Sequence, residues 1–555
     1  MHYKSLFPDL PKVPESNVHH LLFNRPDQKE WPDYTLFVNA ATGQQRSFRE
    51  FIERVRDGAT ALGADVAHGG LGLRPENGEL VGILSENCPD YVALMHSLLA
   101  ITVPFALFPS ALTQYEFKHA NSLAQATRIF ASPSLLLLAL SSGLPADRIH
   151  ILEGDNEGYT SYDQLVASAR NNSIPRLPVR HATKDTLAYL IYSSGTNAVM
   201  ISHGNITGAA LGAMSSGKEQ AKVRPPTVWN TPNGLQVTFI VLPVYHSLGL
   251  CTISFLSFLK ASTIVMLPKW SVDLFFDSIT KYHVTTLYLV PSLIHQLVYH
   301  PRFKTADMSL VKSVASGAAY LPPQLADQVY ARFPDMERFA EGYGLSEFTM
   351  TVAMKPIPGQ LDGRAKPKPG SAGILYPSVE ARIVRADGSL AGPNEPGELH
   401  VRGPTAALGY RGNEQATRET FVDGWVLTGD QMRIDEDGDT LKISGMQVSP
   451  FEIENTLLEQ PDKLITDVSV AGVSGGRTSD ERIPRAWVVL SSAGAALGEK
   501  EVVARLNGWV KERLSRHKWL RGGIGIVETI PKSPTGKVLR RVLVEEYERE
   551  VKAKL

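Results

Sequence analysis

Cysteine is nearly absent. Cys88 and Cys251 are the only two in 555 residues, which excludes a disulfide scaffold and suits a reducing compartment. A charge bias is lacking as well: the formal net charge of −1 gives no electrostatic case for nucleic acid or an anionic membrane surface. No apolar h-region follows the amino-terminal MHYKSLFPDLPKVPE, so no secretory signal is expected. Long uncharged runs are scarce, and one, Tyr91 to Leu112, raises the question of a membrane span. Pro104, Pro109, His96 and Ser97 interrupt it, and Asn87-Cys88-Pro89-Asp90 before it has the form of a helix start. A buried helix followed by a buried strand is therefore expected there. Internal repeats and low-complexity tracts are also missing.

What is present is ordinary globular material, 43% hydrophobic and 20% charged, in a chain too long for one hydrophobic core. Apolar runs of strand length (ELVGIL, TLAYLIY, VTFIVLP, STIVML and TTLYLVP) alternate with helix-length segments, which predicts α/β layers around largely buried sheets. From about Gly397 the pattern changes to short strands and turns, GELHVRG, GWVLTGD and DEDGD, and then to a final small α+β unit. The expected fold class is α/β: a large multi-sheet amino-terminal domain with a β-rich subregion, residues 1–435, and a small α+β carboxy-terminal domain, 436–555.

Phosphate chemistry is suggested at two places. Gly212 to Lys218 matches a phosphate loop formally, but Glu219 stands where a hydroxyl should ligate magnesium and no strand feeds the loop, so it is dismissed. Ser193-Ser194-Gly195-Thr196 follows a buried strand, and its hydroxyls and backbone donors suit a polyphosphate. EGYGLSE (341–347) places an aromatic ring, a hydroxyl and a carboxylate together. TGD (428–430) offers a carboxylate suited to ribose hydroxyls, and PKSPTGKVLRR (531–541) presents Lys537 on a glycine-bearing turn. Taken singly, each also reads as ordinary turn chemistry.

In this order and at these separations the motifs resemble the adenylate-forming superfamily of acyl-CoA synthetases, 4-coumarate:CoA ligases, luciferases and peptide-synthetase adenylation domains. SGAA (316–319), LPVYHSLGL (242–250) and LKISGMQVSPFEIE (441–454) extend the resemblance over nearly the whole chain. It implies that a carboxylate attacks the α-phosphate of ATP and that the thiol of coenzyme A then displaces AMP. Ser193, Ser194, Gly195 and Thr196 would grip the β- and γ-phosphates, Glu347 would hold Mg²⁺, and Ser346, where the family usually has threonine, would reach the α-phosphate. Gly317, Ala318, Ala319 and Tyr343, with Gly344 beside it, would enclose adenine, and Asp430 would take the ribose hydroxyls. His246 would sit beside the acyl carboxylate, and Lys537 would bridge carboxylate and α-phosphate oxygens. Lys442, Gly445 and Gln447 would complete the nucleotide site from a mobile carboxy-terminal domain, with Gly445 leaving room for a pantetheine channel.

Two departures stand out. Asn197-Ala198 replaces a longer loop that carries a lysine in the family, and DEDGDTLKISG (435–445) lacks the family's further strand and arginine-bearing hinge. Both fall where catalytic loops move, so a missing segment is expected at each place. That expectation predicts breaks well beyond about 3.8 Å between Thr196 and Asn197 and between Asp439 and Thr440. True deletions would instead suit a nucleotide-binding protein without turnover. A free-standing adenylation enzyme serving a carrier protein is the enzymatic alternative to an acyl-CoA ligase. The final Ala553-Lys554-Leu555 differs from the peroxisomal address Ser-Lys-Leu by one small residue, so binding to a peroxisomal import receptor is expected, with a cytoplasmic location otherwise. The pocket candidates are small or apolar, which admits an aryl propenoic or a medium-chain acid alike.

Overall fold

The computed structural model describes residues 1–193, 197–318, 321, 323–333, 336–368, 370–444, 450–475, 482–531 and 540–553. The fold is mixed α/β and packs as two units. The larger comprises residues 1–110, 123–192 and 198–445, and the smaller takes residues 111–122, 193–197 and 446–555.

In the larger unit, a seven-stranded sheet joins Val81–Leu84, Phe105–Phe108, Arg128–Ala131 and Leu187–Ser193 in parallel. The uncharged run forms helix Pro89–Ala100 and strand Phe105–Phe108 as expected, and every residue of both is buried. Among the described residues, no helix is long and apolar enough to cross a membrane. Gly212 to Lys218 lies inside helix His203–Val223, which confirms its dismissal as a phosphate loop.

A fifteen-stranded sheet positions the site. Its parallel half contains β1 (Gln236–Ile240), which leads to helix α1 (Ser247–Ser254), then β2 (Ser313–Ser316) and β3 (Arg338–Gly344). At β3 the sheet turns antiparallel through β4 (Thr351–Met354) and continues to the pair β5 (Trp425–Ile434) and β6 (Asp439–Ser444). The expected break at Asp439–Thr440 is corrected here. Thr440 pairs with Ile434 and with Gly373, and Ala372 N donates to Thr440 O at 2.8 Å, so β6 runs unbroken through that bond. The acidic turn is simply the loop of a hairpin, with Lys368 bonded to Asp435 at 2.5 Å and to Asp437 at 2.8 Å. Packing therefore carries the larger unit through this hairpin to Gly445. The companion expectation at Thr196–Asn197 lies outside the described residues.

The smaller unit is built on a three-stranded sheet, Ile465–Ser474, Arg482–Leu490 and Ile524–Ile526, with helices Pro450–Leu458 and Glu499–Arg513 closing its core. Its least expected feature is a buried ionic cluster. Lys518 Nζ lies 2.8 Å from Glu116 and 2.7 Å from Glu452, and Ser515 donates to Glu116 from N at 3.1 Å and from Oγ at 3.0 Å.

Candidate active site

In an open parallel sheet, side chains needed for ligand chemistry collect at the carboxyl ends of the strands, where loops can cross the sheet edge. The end of β1 runs into Leu242-Pro243-Val244-Tyr245-His246. Asn87, 3% exposed, fastens that loop: its Nδ2 donates to Leu242 O at 2.9 Å and its Oδ1 accepts from Val244 N at 2.9 Å. His246 N donates to Pro243 O at 3.0 Å and His246 O accepts from Leu250 N at 2.8 Å, which sets the residue at the start of α1. Its side chain makes no cap bond and is exposed. Crowding by the surrounding protein, with no charged group contributing, holds its imidazole below the usual histidine value. His246 is thus a neutral hydrogen-bonding group at neutral pH.

Beyond β2 the chain passes through Gly317 to Ala318, whose φ of 65° lies in the left-handed region. A non-glycine residue held there costs on the order of 1–3 kcal/mol and is typical of binding sites. A Cβ on Gly317 would meet Leu248 Cδ2 at 3.5 Å and Gly342 O at 3.6 Å, which is ordinary contact. The protein alone does not demand glycine at 317. Gly344 is the opposite case, since a Cβ there would fall 1.6 Å from Met350 O, and the β3–β4 register shifts at Tyr343 and Gly344. Backbone packing fixes that glycine, whatever ligand it also faces.

The bulge turns Tyr343 toward β5, where its hydroxyl donates to Asp430 Oδ2 at 2.7 Å. Burial, then the Asp430 charge, push the phenol well above its usual value, so it remains a donor. Ser346 Oγ lies 2.9 Å from Ser247 Oγ at the start of α1. Glu347 Oε1 accepts from the Tyr410 hydroxyl at 2.9 Å, and Ala407 N donates to Glu347 O at 2.9 Å.

The structure thus brings His246, Gly317, Ala318, Tyr343, Gly344, Ser346, Glu347 and Asp430 to the ends of β1, β2 and β3 and the facing part of β5. Ser193 closes the strand Leu187–Ser193 of the other sheet. Lys442 lies on β6 opposite Met432, and nothing is described of its side chain. Ser194, Gly195, Thr196, Ala319, Gly445, Gln447 and Lys537 lie outside the described residues. Sequence reasoning passed over Asn87, Ser247 and Tyr410. Ser247 carried one usable signal, its place directly after His246.

A family model described as AMP-binding enzyme matches residues 25–411, and one described as AMP-binding enzyme C-terminal domain matches 452–537. A Dictyostelium discoideum protein named probable 4-coumarate–CoA ligase 2 is 29% identical over 98% of this chain and 97% of its own length. An acyl-CoA ligase of Alternaria alternata is 28% identical over 92% of this chain and 90% of its own. Among solved structures, an o-succinylbenzoate CoA synthetase from Bacillus subtilis superposes with a TM-score of 0.72 at 21% identity, covering 95% of this chain and 97% of that one. A long-chain-fatty-acid–CoA ligase from Archaeoglobus fulgidus gives 0.70 at 22%, covering 94% and 98%. These structures establish the shared fold. With the first family model spanning most of the sequence and the candidate residues of the larger unit gathered at its strand ends, the chain belongs to the AMP-binding enzymes of the adenylate-forming superfamily.

Proposed function

We infer that the protein is an ATP-dependent acyl-CoA ligase. It forms an acyl-adenylate from a carboxylic acid and ATP, releases pyrophosphate, and transfers the acyl group to coenzyme A with release of AMP. The observation that carries this reading is the Tyr343–Asp430 hydrogen bond set beside Ser346, Glu347 and His246. The bond ties a flat aromatic ring to a carboxylate 87 residues away, and the Ser346 hydroxyl follows three residues after that tyrosine in the same motif.

In the first step a carboxylate oxygen attacks the α-phosphorus, the bond to the pyrophosphate oxygen breaks, and negative charge shifts onto the leaving group. Little covalent work falls to the protein, so positioning and charge stabilisation dominate. The tyrosine ring stacks on adenine over the space left by Gly317. Asp430 accepts from the ribose while held by Tyr343, and neutral His246 donates to the acid without cancelling the charge needed for attack. Ser193, Ser194, Gly195 and Thr196 take the outer phosphates, and Lys537 stabilises charge passing between carboxylate and phosphate. In the second step the thiolate attacks the acyl carbonyl and AMP leaves. The chain beyond Gly445 is the mobile domain in this reading and supplies Gln447 to the site, while Lys442 and Gly445 serve it from the end of the larger unit.

Mg²⁺ is commonly held by one or two carboxylates together with substrate phosphates rather than by an all-protein cage. The donor set fits that habit, because Glu347 offers one carboxylate, anchored through Oε1 by Tyr410. Bound there with the nucleotide, the ion would neutralise phosphate charge.

A panel of aryl propenoic and medium-chain acids, assayed for ATP-dependent pyrophosphate release, tests the reading. At least one acid is expected to give release above the acid-free background and a CoA thioester when coenzyme A is added. Release without thioester, but with acyl transfer to a carrier protein, would identify an adenylation enzyme instead. No release with any acid would leave a nucleotide-binding protein. For a protein ending at Leu555, we further propose that Ala553-Lys554-Leu555 binds the peroxisomal import receptor. Deleting Leu555 is then expected to leave a fluorescently tagged chain in the cytosol with unchanged activity, and peroxisomal puncta surviving the deletion would refute the address.

A further inference from the structure

Ser346 stands where threonine is usual in the resembling enzymes, and the exchange has a physical cost. Threonine is β-branched and stiff at χ1, whereas serine moves among three staggered rotamers. A hydroxyl meant to meet one phosphate oxygen loses aim when its methyl is removed. The structure supplies a substitute. Ser247, 7% exposed in the first turn of α1, places its Oγ 2.9 Å from Ser346 Oγ. Its backbone is held in turn, because the loop ahead of it is tied at Leu242 and Val244 by Asn87 and its helix begins at the His246–Leu250 hydrogen bond.

A hydroxyl has one proton to donate and two lone pairs to accept with. If Ser346 gives its proton to an anionic phosphate oxygen, it can only accept from Ser247. The pair then has a single polarity, Ser247 O–H to Ser346 Oγ and Ser346 O–H to phosphate, and each bond polarises the next. We propose that Ser247 is a positioning residue that fixes the rotamer and proton direction of Ser346, doing for serine what the β-methyl does for threonine. The inference rests on the reading that Ser346 meets the α-phosphate.

The test needs no knowledge of the acid, because AMP carries the α-phosphate and adenosine lacks it. Ser247→Ala is expected to weaken AMP binding roughly three- to tenfold, the lower figure being the loss from releasing one of three rotamers. Adenosine binding should stay within about twofold, the ordinary scatter of independent sites. Adding Ser346→Thr to Ser247→Ala should restore AMP affinity to within about twofold of the parent, because β-branching replaces the lost hydrogen bond. Equal weakening of AMP and adenosine would show a merely structural role and overturn the proposal. So would an unchanged AMP affinity in Ser247→Ala, or a loss of equal size in the Ser346→Thr background. A parent that binds AMP no better than adenosine would show instead that Ser346 does not meet the phosphate. The site reading would then fail, and the proposal with it. The pyrophosphate assay is independent of both results.

Discussion

Lys537→Ala is expected to slow acyl-adenylate formation by roughly 10² to 10³ fold, the scale for removing one preorganised electrostatic contact from a charge-developing step. The residue lies in PTGKVLRR, directly ahead of helix Arg540–Ala553. In the resembling enzymes this lysine meets the α-phosphate in one pose of the small domain, while the strand carrying the Gly445 equivalent serves the other. A group that stabilises charge in one pose affects one step. Supplied with chemically prepared acyl-adenylate, Lys537→Ala should therefore form thioester at near the parental rate. A bulky residue at Gly445 should give the reverse pattern, with adenylation kept and thioester formation lost. Equal impairment of both half-reactions by Lys537→Ala would remove the lysine from the catalytic machinery.

The largest expected loss of stability lies in the smaller unit, at its buried ionic cluster. Lys518 and Glu116 have side chains only 2% exposed, and Glu452 is 10% exposed. Burial alone would raise the Glu116 carboxyl, but Lys518 and the Ser515 hydrogen bonds outweigh it and hold the group below its usual value. At Glu452 burial wins over Lys518, and the carboxyl is raised. Lys518→Ala leaves two buried carboxylates facing each other without a cation. Breaking such a cluster costs about 3–5 kcal/mol. For a unit of this size that corresponds to a fall in Tm on the order of 15 °C by calorimetry. The sign of the pH dependence follows from the same groups. Lys518 lowers both carboxyls in the parent, so its loss raises each relative to its parental value; protonation then offsets part of the loss, and the deficit relative to the parent should shrink as the pH falls from 7 to 5. A Tm within about 3 °C of the parent at pH 7, less than 1 kcal/mol for such a unit, would show the cluster to be energetically neutral.

Strand-length apolar runs announced the buried parallel strands, because burial on both faces leaves continuous hydrophobic sequence. Tyr91 to Leu112 was legible for the same reason. The family was legible because its motifs keep particular side chains at short spacing along turns. DEDGD read correctly as a turn but not as the loop of the β5–β6 hairpin, since a strand's partner is chosen across the sheet. Asn87 bonds a carbonyl 155 residues away, Ser346 meets Ser247 across 99 residues and Tyr410 reaches Glu347 across 63. No local pattern encodes such pairs. Glu116 was hidden more thoroughly, because an acidic residue early in an amphipathic helix ordinarily marks a solvated face.

In the two-step reaction a carboxylate oxygen becomes bonded to the α-phosphorus before the thiol attacks. An acid that supports turnover, labelled with ¹⁸O in both carboxyl oxygens, tests it directly when AMP and thioester are examined by mass spectrometry. Attack on the α-phosphorus followed by thiolysis at the carbonyl leaves one labelled oxygen in AMP and one in the thioester. ADP in place of AMP, with the label found in inorganic phosphate, would mean that the acid was activated at the γ-phosphorus, and would overturn this order of steps.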